Sequence, residues 1–182
     1  ADVDNDGLQD VFLTQPLKDP RDRAALYRHL GGFRFERVPL PALEALAHSP
    51  ERYGVVSGAL FFDYDNDGDQ DLLVLVGWGP PLLLQNRLVE EGALAFVEVT
   101  PAAGLEAYLV SIAANALDVD RDGKLDLIIG NAMRPTLPGY DPPQRFNVFQ
   151  LPPPQDPHDR RMFNFMHRTW HNAVNGGGVL LY

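Results

Sequence analysis

Three stretches of this chain place aspartates at a spacing that can hold a metal ion. Asp2, Asp4, Asp6 and Asp10 lie in DVDNDGLQDV, Asp63, Asp65, Asp67 and Asp71 in DYDNDGDQDL, and Asp118, Asp120, Asp122 and Asp126 in DVDRDGKLDL. Each follows D-x-D-x-D-G-x-x-D and continues into Leu or Val, and the three begin at Asp2, Asp63 and Asp118, 61 and 55 residues apart. Four carboxylates packed this closely repel one another unless a cation sits among them. Alternate positions of a turning loop can aim at one centre, and Gly at the sixth position permits the sharp turn. The seventh position (Leu8, Asp69, Lys124) varies in type, as expected where only the main-chain carbonyl is used. Oxygen ligands without His or Cys select a hard cation. Ca²⁺ accepts six to eight oxygens in irregular geometry, whereas Mg²⁺ demands a tight octahedron, so up to three Ca²⁺ are expected, one per loop.

The pattern is not an EF-hand. That loop closes with a bidentate Glu at position 12; position 12 here is Leu13, Val74 and Ile129, and the ninth-position Asp is expected to close the site instead. Asp and Gly are also ordinary turn residues, so a single copy could be a solvated acidic turn. Three copies at matching spacing favour the cation. The loops take twelve of the 25 acids in the chain, and three Ca²⁺ would move the formal charge from −10 to −4.

Composition sets the frame for these loops. The chain has 182 residues, 45% of them hydrophobic, which is globular and not disordered. Its acidity repels phosphate backbones, so nucleic acid is not an expected partner. The absence of Cys excludes disulfides, thiolate metal sites and Cys nucleophiles. No apolar run reaches the length of a membrane span. The chain opens inside a motif, and it is expected to be a segment of a longer polypeptide or of a ring completed by other chains.

Apolar runs flank the loops. VFLT, LLVLVG and LIIG follow them, and GALFF and ANAL precede the second and third. Further on, LYRHLGGFRFERVPLPAL and LLLQNRLVEEGALAFVEVTPAAGL share an apolar strand, a polar turn, Phe-x-x-Val and a small-residue loop. The unit is therefore strand, acidic loop, strand, connection, strand, turn, strand. This predicts an all-β fold, with β-propeller blades of four antiparallel strands and about three blades present. The repeats are placed at about 1–55, 56–110 and 111–182, as one propeller segment over 1–182.

These residues resemble the FG-GAP/VCBS repeats of integrin-α-like β-propellers, in the bacterial form with a leucine-tyrosine-arginine-asparagine strand, Gly-x-Phe, Val-Thr and an Ala-Gly-Leu loop. The resemblance implies a calcium loop joining the first two strands of each blade. It also implies a secreted or cell-surface location, bacterial periplasmic or extracellular, and a binding and assembly role more often than catalysis.

The third repeat departs from the pattern. Tyr27 lies 25 residues after Asp2, but the comparable Tyr182 lies 64 after Asp118, so an insertion is placed at 131–178. It is Pro-rich, then aromatic and basic in RRMFNFMHRTWHN. Aromatic residues, Met and Arg mark interfaces. Arg160, Arg161, Phe163, Phe165, Met166 and Trp170 are therefore candidates for holding a protein partner or neighbouring subunit, with a glycan as another ligand. Cover for the chain's own propeller is the competing reading. His158, His167 and His171 lack a carboxylate pattern, and surface histidines are preferred to a transition-metal site.

No catalytic set assembles: G-x-S-x-G, the P-loop and H-E-x-x-H are all absent. Two functions are carried forward. One is a calcium-stabilised surface module for binding protein or glycan. The other is a propeller segment of an exported carbohydrate-active enzyme of lyase or dehydratase type.

Overall fold

The computed structural model describes residues 1–14, 24–48, 54–134, 136–137, 144–145 and 177–182. Among them the chain is all-β and antiparallel, with two short helices. The first repeat contributes β1 (Val11–Thr14), β2 (Ala24–His29) and β3 (Phe35–Val38), a sheet in that order, followed by α1 (Pro41–His48). The second contributes β4 (Val55–Phe62), β5 (Asp71–Gly79), β6 (Leu82–Asn86), α2 (Leu88–Glu91) and β7 (Phe96–Glu98), with β5 paired to both β4 and β6. The third contributes β8 (Leu109–Leu117), β9 (Asp126–Asn131) and β12 (Val179–Leu181). Two-residue strands β10 (Thr136–Leu137) and β11 (Gln144–Arg145) form a small hairpin after β9.

In the second repeat the expected unit is complete. β4, the acidic loop and β5 form one long hairpin running from Val55 opposite Gly77 to Phe62 opposite Asp71. Gly54, just before β4, has φ +67°, and a Cβ there would stand 2.0 Å from the Gly77 carbonyl oxygen, so only Gly fits this approach. In the third repeat, Tyr182 exchanges two backbone hydrogen bonds of 2.9 Å with Leu127. Tyr27 stands opposite Val11 in the same way.

The helices were not anticipated from the strand pattern. In α1, Pro41 occupies the first turn, where its missing N–H costs nothing, and Ala, Leu and Glu are strong helix formers. Its Leu43 is buried.

β5 also pairs with β8, Gly77 opposite Val110 and Gly79 opposite Leu109, so the strands of the second and third repeats join in one seven-stranded sheet, and the three repeats pack together through two cores. One joins the first repeat to the second: Val3 and Leu26 meet Leu72, Val74, Leu82 and Leu84, with Phe12 and Phe96 at the margin. The other joins the second to the third, where Leu73, Leu75 and Leu83 meet Leu127 and Ile129. Period-2 alternation explains the division, since successive side chains of β5 face opposite sides. A strand clamped on both faces must be apolar throughout, which is why LLVLV follows the acidic loop without a polar break.

Candidate metal centre

Each acidic loop finishes where a strand begins, the second and third also start where one ends, and the three adopt one backbone path. The fourth position is left-handed in all of them, with φ of +56° at Asn5, +62° at Asn66 and +67° at Arg121. The Gly at position six has φ of +86°, +98° and +88° at Gly7, Gly68 and Gly123. Asn tolerates the left-handed region and Arg does so less well. Arg121→Asn is therefore expected to stabilise the chain by up to about 1 kcal/mol, read as a rise in urea midpoint at unchanged slope.

The first-position Asp organises the turn. Asp2 accepts the backbone N–H groups of Asp6 (3.1 Å) and Gly7 (2.9 Å). Asp63 does the same with Asp67 and Gly68 (both 3.1 Å), and Asp118 with Asp122 (3.1 Å) and Gly123 (3.0 Å). The fifth-position Asp accepts from the seventh residue, at 2.8 Å for Asp6 with Leu8, 2.9 Å for Asp67 with Asp69 and 2.8 Å for Asp122 with Lys124. Each carboxylate oxygen so used keeps a second lone pair. The bonds hold the acids together against their repulsion: Asp2, Asp4 and Asp6 bring ligand oxygens within 4.8 Å of one another, as do Asp118, Asp120 and Asp122.

The ninth-position Asp is a latch between strands. Asp71 is fully buried and accepts the N–H of Tyr64 (2.6 Å) inside the loop and of Asn86 (2.7 Å) at the end of β6. Asp10 repeats this with Val3 (2.7 Å) and His29 (2.8 Å). Asp126 accepts from Val119 at 2.8 Å. Among these three, only Asp71 belongs to a carboxylate group able to share one ion, with Asp63 and Asp65.

The second loop is also where residues absent from the motif enter. Pairing of β5 with β6 brings α2, which follows β6, and its Glu90 back to the loop, and Asp65, Asp67 and Glu90 form another group within 4.8 Å. The amide nitrogen of Gln85 lies between Asp65 and Glu90 and donates to both. It fills with a polar hydrogen the place a cation would take. Arg87 also pairs with Glu90 at 2.7 Å. Asp69, expected to lend only its carbonyl, has its whole side chain buried: one oxygen accepts the N–H of Val89 at 3.1 Å, and the other is without a partner. One carboxylate oxygen of Asp67 is likewise buried and unsatisfied. A buried anionic oxygen left unpaired is costly, and a cation among Asp65, Asp67 and Glu90 removes that cost. On these grounds the residues fit a hard divalent ion.

The electrostatics agree. Burial pushes the Asp71 carboxyl up to about 7, with Asp65 and Asp69 adding to the rise against the opposing pull of the Tyr64 and Asn86 N–H groups. Burial, then Asp6 and Asp10, raise Asp4, and burial, then Asp67, Glu90 and Asp65, raise Asp69. In the first loop the Arg28 guanidinium stands 3.5 Å from Asp4 and supplies part of the missing positive charge. The sign of the pH effect follows. With its folded value above the ordinary 3.8, Asp71 holds a proton that the unfolded chain has lost, so the ion-free chain loses stability as pH rises from about 4 through about 7. A melting series in chelator is expected to show that decline, and saturating Ca²⁺ to flatten it.

The insertion residues Arg160, Arg161, Phe163, Phe165, Met166 and Trp170, with His158, His167 and His171, lie outside the described residues. Among the described residues, no helix is long and apolar enough to cross a membrane. Comparison with known families gives one match: the FG-GAP-like repeat aligns twice, over residues 2–74 and 63–129, so each alignment ends just past an acidic loop. No curated protein matches the chain.

Proposed function

The chain belongs to the FG-GAP-like repeat family, and from that premise we propose that it is a calcium-stabilised β-propeller module that acts outside the cytoplasm as a binding and assembly scaffold. The observation that carries the calcium reading is the buried, unpaired oxygen of Asp67 inside a group of carboxylates. In the first and third loops, Asp2, Asp4 and Asp6, and Asp118, Asp120 and Asp122, hold the ion, with the carbonyls of Leu8 and Lys124 and the acids Asp10 and Asp126 completing the set. In the second, Asp63, Asp65, Asp67, Asp71 and the Asp69 carbonyl are joined by Glu90. Bound Ca²⁺ offsets part of the loop's negative charge and fixes the turn between two strands of a blade. Because the unfolded chain has no formed site, metal binding adds to folding stability. A scaffold role accords with the absence of any catalytic set in the sequence and with the commitment of the acids to the loops.

Calorimetric titration tests the reading. Three Ca²⁺ are expected per chain. Glu90→Gln is expected to weaken one of them roughly tenfold, about 1.4 kcal/mol, and to leave the other two unchanged. Three unaltered sites in Glu90→Gln would remove Glu90 from the set, and no calcium binding at all would refute the function.

A further inference from the structure

The first two acidic loops are joined by an unbroken run of hydrogen bonds. Asp10, the ninth residue of the first loop, accepts the Val3 N–H at 2.7 Å. The Val3 carbonyl accepts from the side-chain nitrogen of Asn86 at 2.8 Å. The backbone N–H of Asn86 donates in turn to Asp71, the ninth residue of the second loop, at 2.7 Å. The same side-chain nitrogen also donates to the carbonyl of Gln70, the eighth residue of that loop, at 3.3 Å. The side-chain oxygen of Asn86 accepts the N–H of Leu88 at 3.2 Å, at the start of α2. One side chain therefore holds position two of one loop, position eight of the other, and the helix that carries Glu90.

Val3, Asn86 and Asp71 are fully buried, and Asp10 is nearly so. Water has no access to replace a lost member of the run, and a buried group left unpaired is costly. The members must therefore keep their positions together. The link is particular to Asn86. His29 ends β2 as Asn86 ends β6, and its N–H bonds Asp10 in the same way, but its ring stacks on Phe35. Among the described residues, the side-chain hydrogen bonds of the third loop all stay within that loop.

We propose, on the basis of the calcium sites assigned above, that Asn86 couples the first and second of them, so that an ion in either loop raises the affinity of the other. An ion-free loop holds its acids against their mutual repulsion, and an ion fixes them. Once the ninth-position acid of one loop is fixed, Asn86 and the Val3 peptide are fixed with it, and so is the ninth-position acid of the other. The second ion then meets a loop already partly ordered, which is positive cooperativity without a large movement. Two cations repel through space, so a positive sign reports the bonded path and not the charges.

Calcium titration of the whole chain, followed by NMR, tests this. The amides of Gly7, Gly68 and Gly123 each bond the first Asp of their own loop and report its occupancy separately. Asp65→Asn and Asp4→Asn each disable one loop without touching the run, and so give the affinity of the other loop alone. In the wild type the product of the two affinities is expected to exceed the product of these single-loop values about fivefold or more. The affinity read at Gly123 is expected to be the same in all three chains. With Asn86→Ala added to each chain, the excess is expected to vanish. Asn86→Ser, which keeps a small polar group beside the Leu88 N–H, gives the same readout should Asn86→Ala fail to fold. A wild-type product equal to the single-loop product, or an excess that survives loss of the Asn86 amide, overturns the coupling while leaving calcium binding in place. Absence of calcium from all three loops overturns the calcium reading together with it.

Discussion

Asp71→Ala is expected to destabilise the calcium-loaded chain by roughly 3–5 kcal/mol, the largest effect of any loop substitution. The change orphans two N–H groups, the buried one of Asn86 and the part-buried one of Tyr64, and an unsatisfied buried donor costs about 1–3 kcal/mol. It also removes an acid from the group with Asp63 and Asp65. In chelator the difference should narrow, because the ion-free wild type itself carries the cost of a buried carboxylate whose pKa is pushed up to about 7. Asp10→Ala, with two latch bonds at a slightly less buried site, should follow closely. Asp126→Ala, half-buried and bonded to Val119, should cost only about 1 kcal/mol. Urea titrations with and without Ca²⁺ give the ranking. Equal losses at all three positions would show that the latch bonds do not set the stability of the blades.

Chelation is expected to have the second large effect. A site occupied at a hundred times its Kd adds about 2.7 kcal/mol. For a chain of this size, 1 kcal/mol moves Tm by roughly 2–4 °C, so each site should raise Tm by about 5–10 °C. The second loop should dominate, since β5 is buried along nearly its whole length and borders both cores. Disorder there releases two interfaces, whereas the exposed third loop sits on one. Mg²⁺ at the same concentration should restore only part of the shift, because it resists giving up its waters to an irregular cage. A melting curve indifferent to excess chelator would contradict the stabilising role.

Much of this organisation was legible in the chain because it is local. The aspartate spacing, the Gly at position six and the apolar runs specify strand, turn and strand without reference to anything distant. The structure shows the same left-handed step at Asn5, Asn66 and Arg121. What escaped was what tertiary pairing assembles. Glu90 is 19 residues beyond Asp71 and reaches the second loop only because β6 folds back beside β5. Asn86 ties the repeats together by donating to the Val3 carbonyl at 2.8 Å, 83 residues away, and no periodicity announces such a bond. Asp69 looked like a spectator at a position of variable type, yet its side chain is buried and holds the N–H of Val89. One signal was available for Glu90: RLVEEG places two acids on a turn directly after the strand that must return to the loop.

The most direct test is an anomalous difference map from crystals grown in calcium. Three peaks are predicted, one per acidic loop, each about 2.3–2.6 Å from its ligand oxygens, with the second also in contact with Glu90. A map without peaks at Asp2–Asp10, Asp63–Asp71 and Asp118–Asp126 would contradict the account.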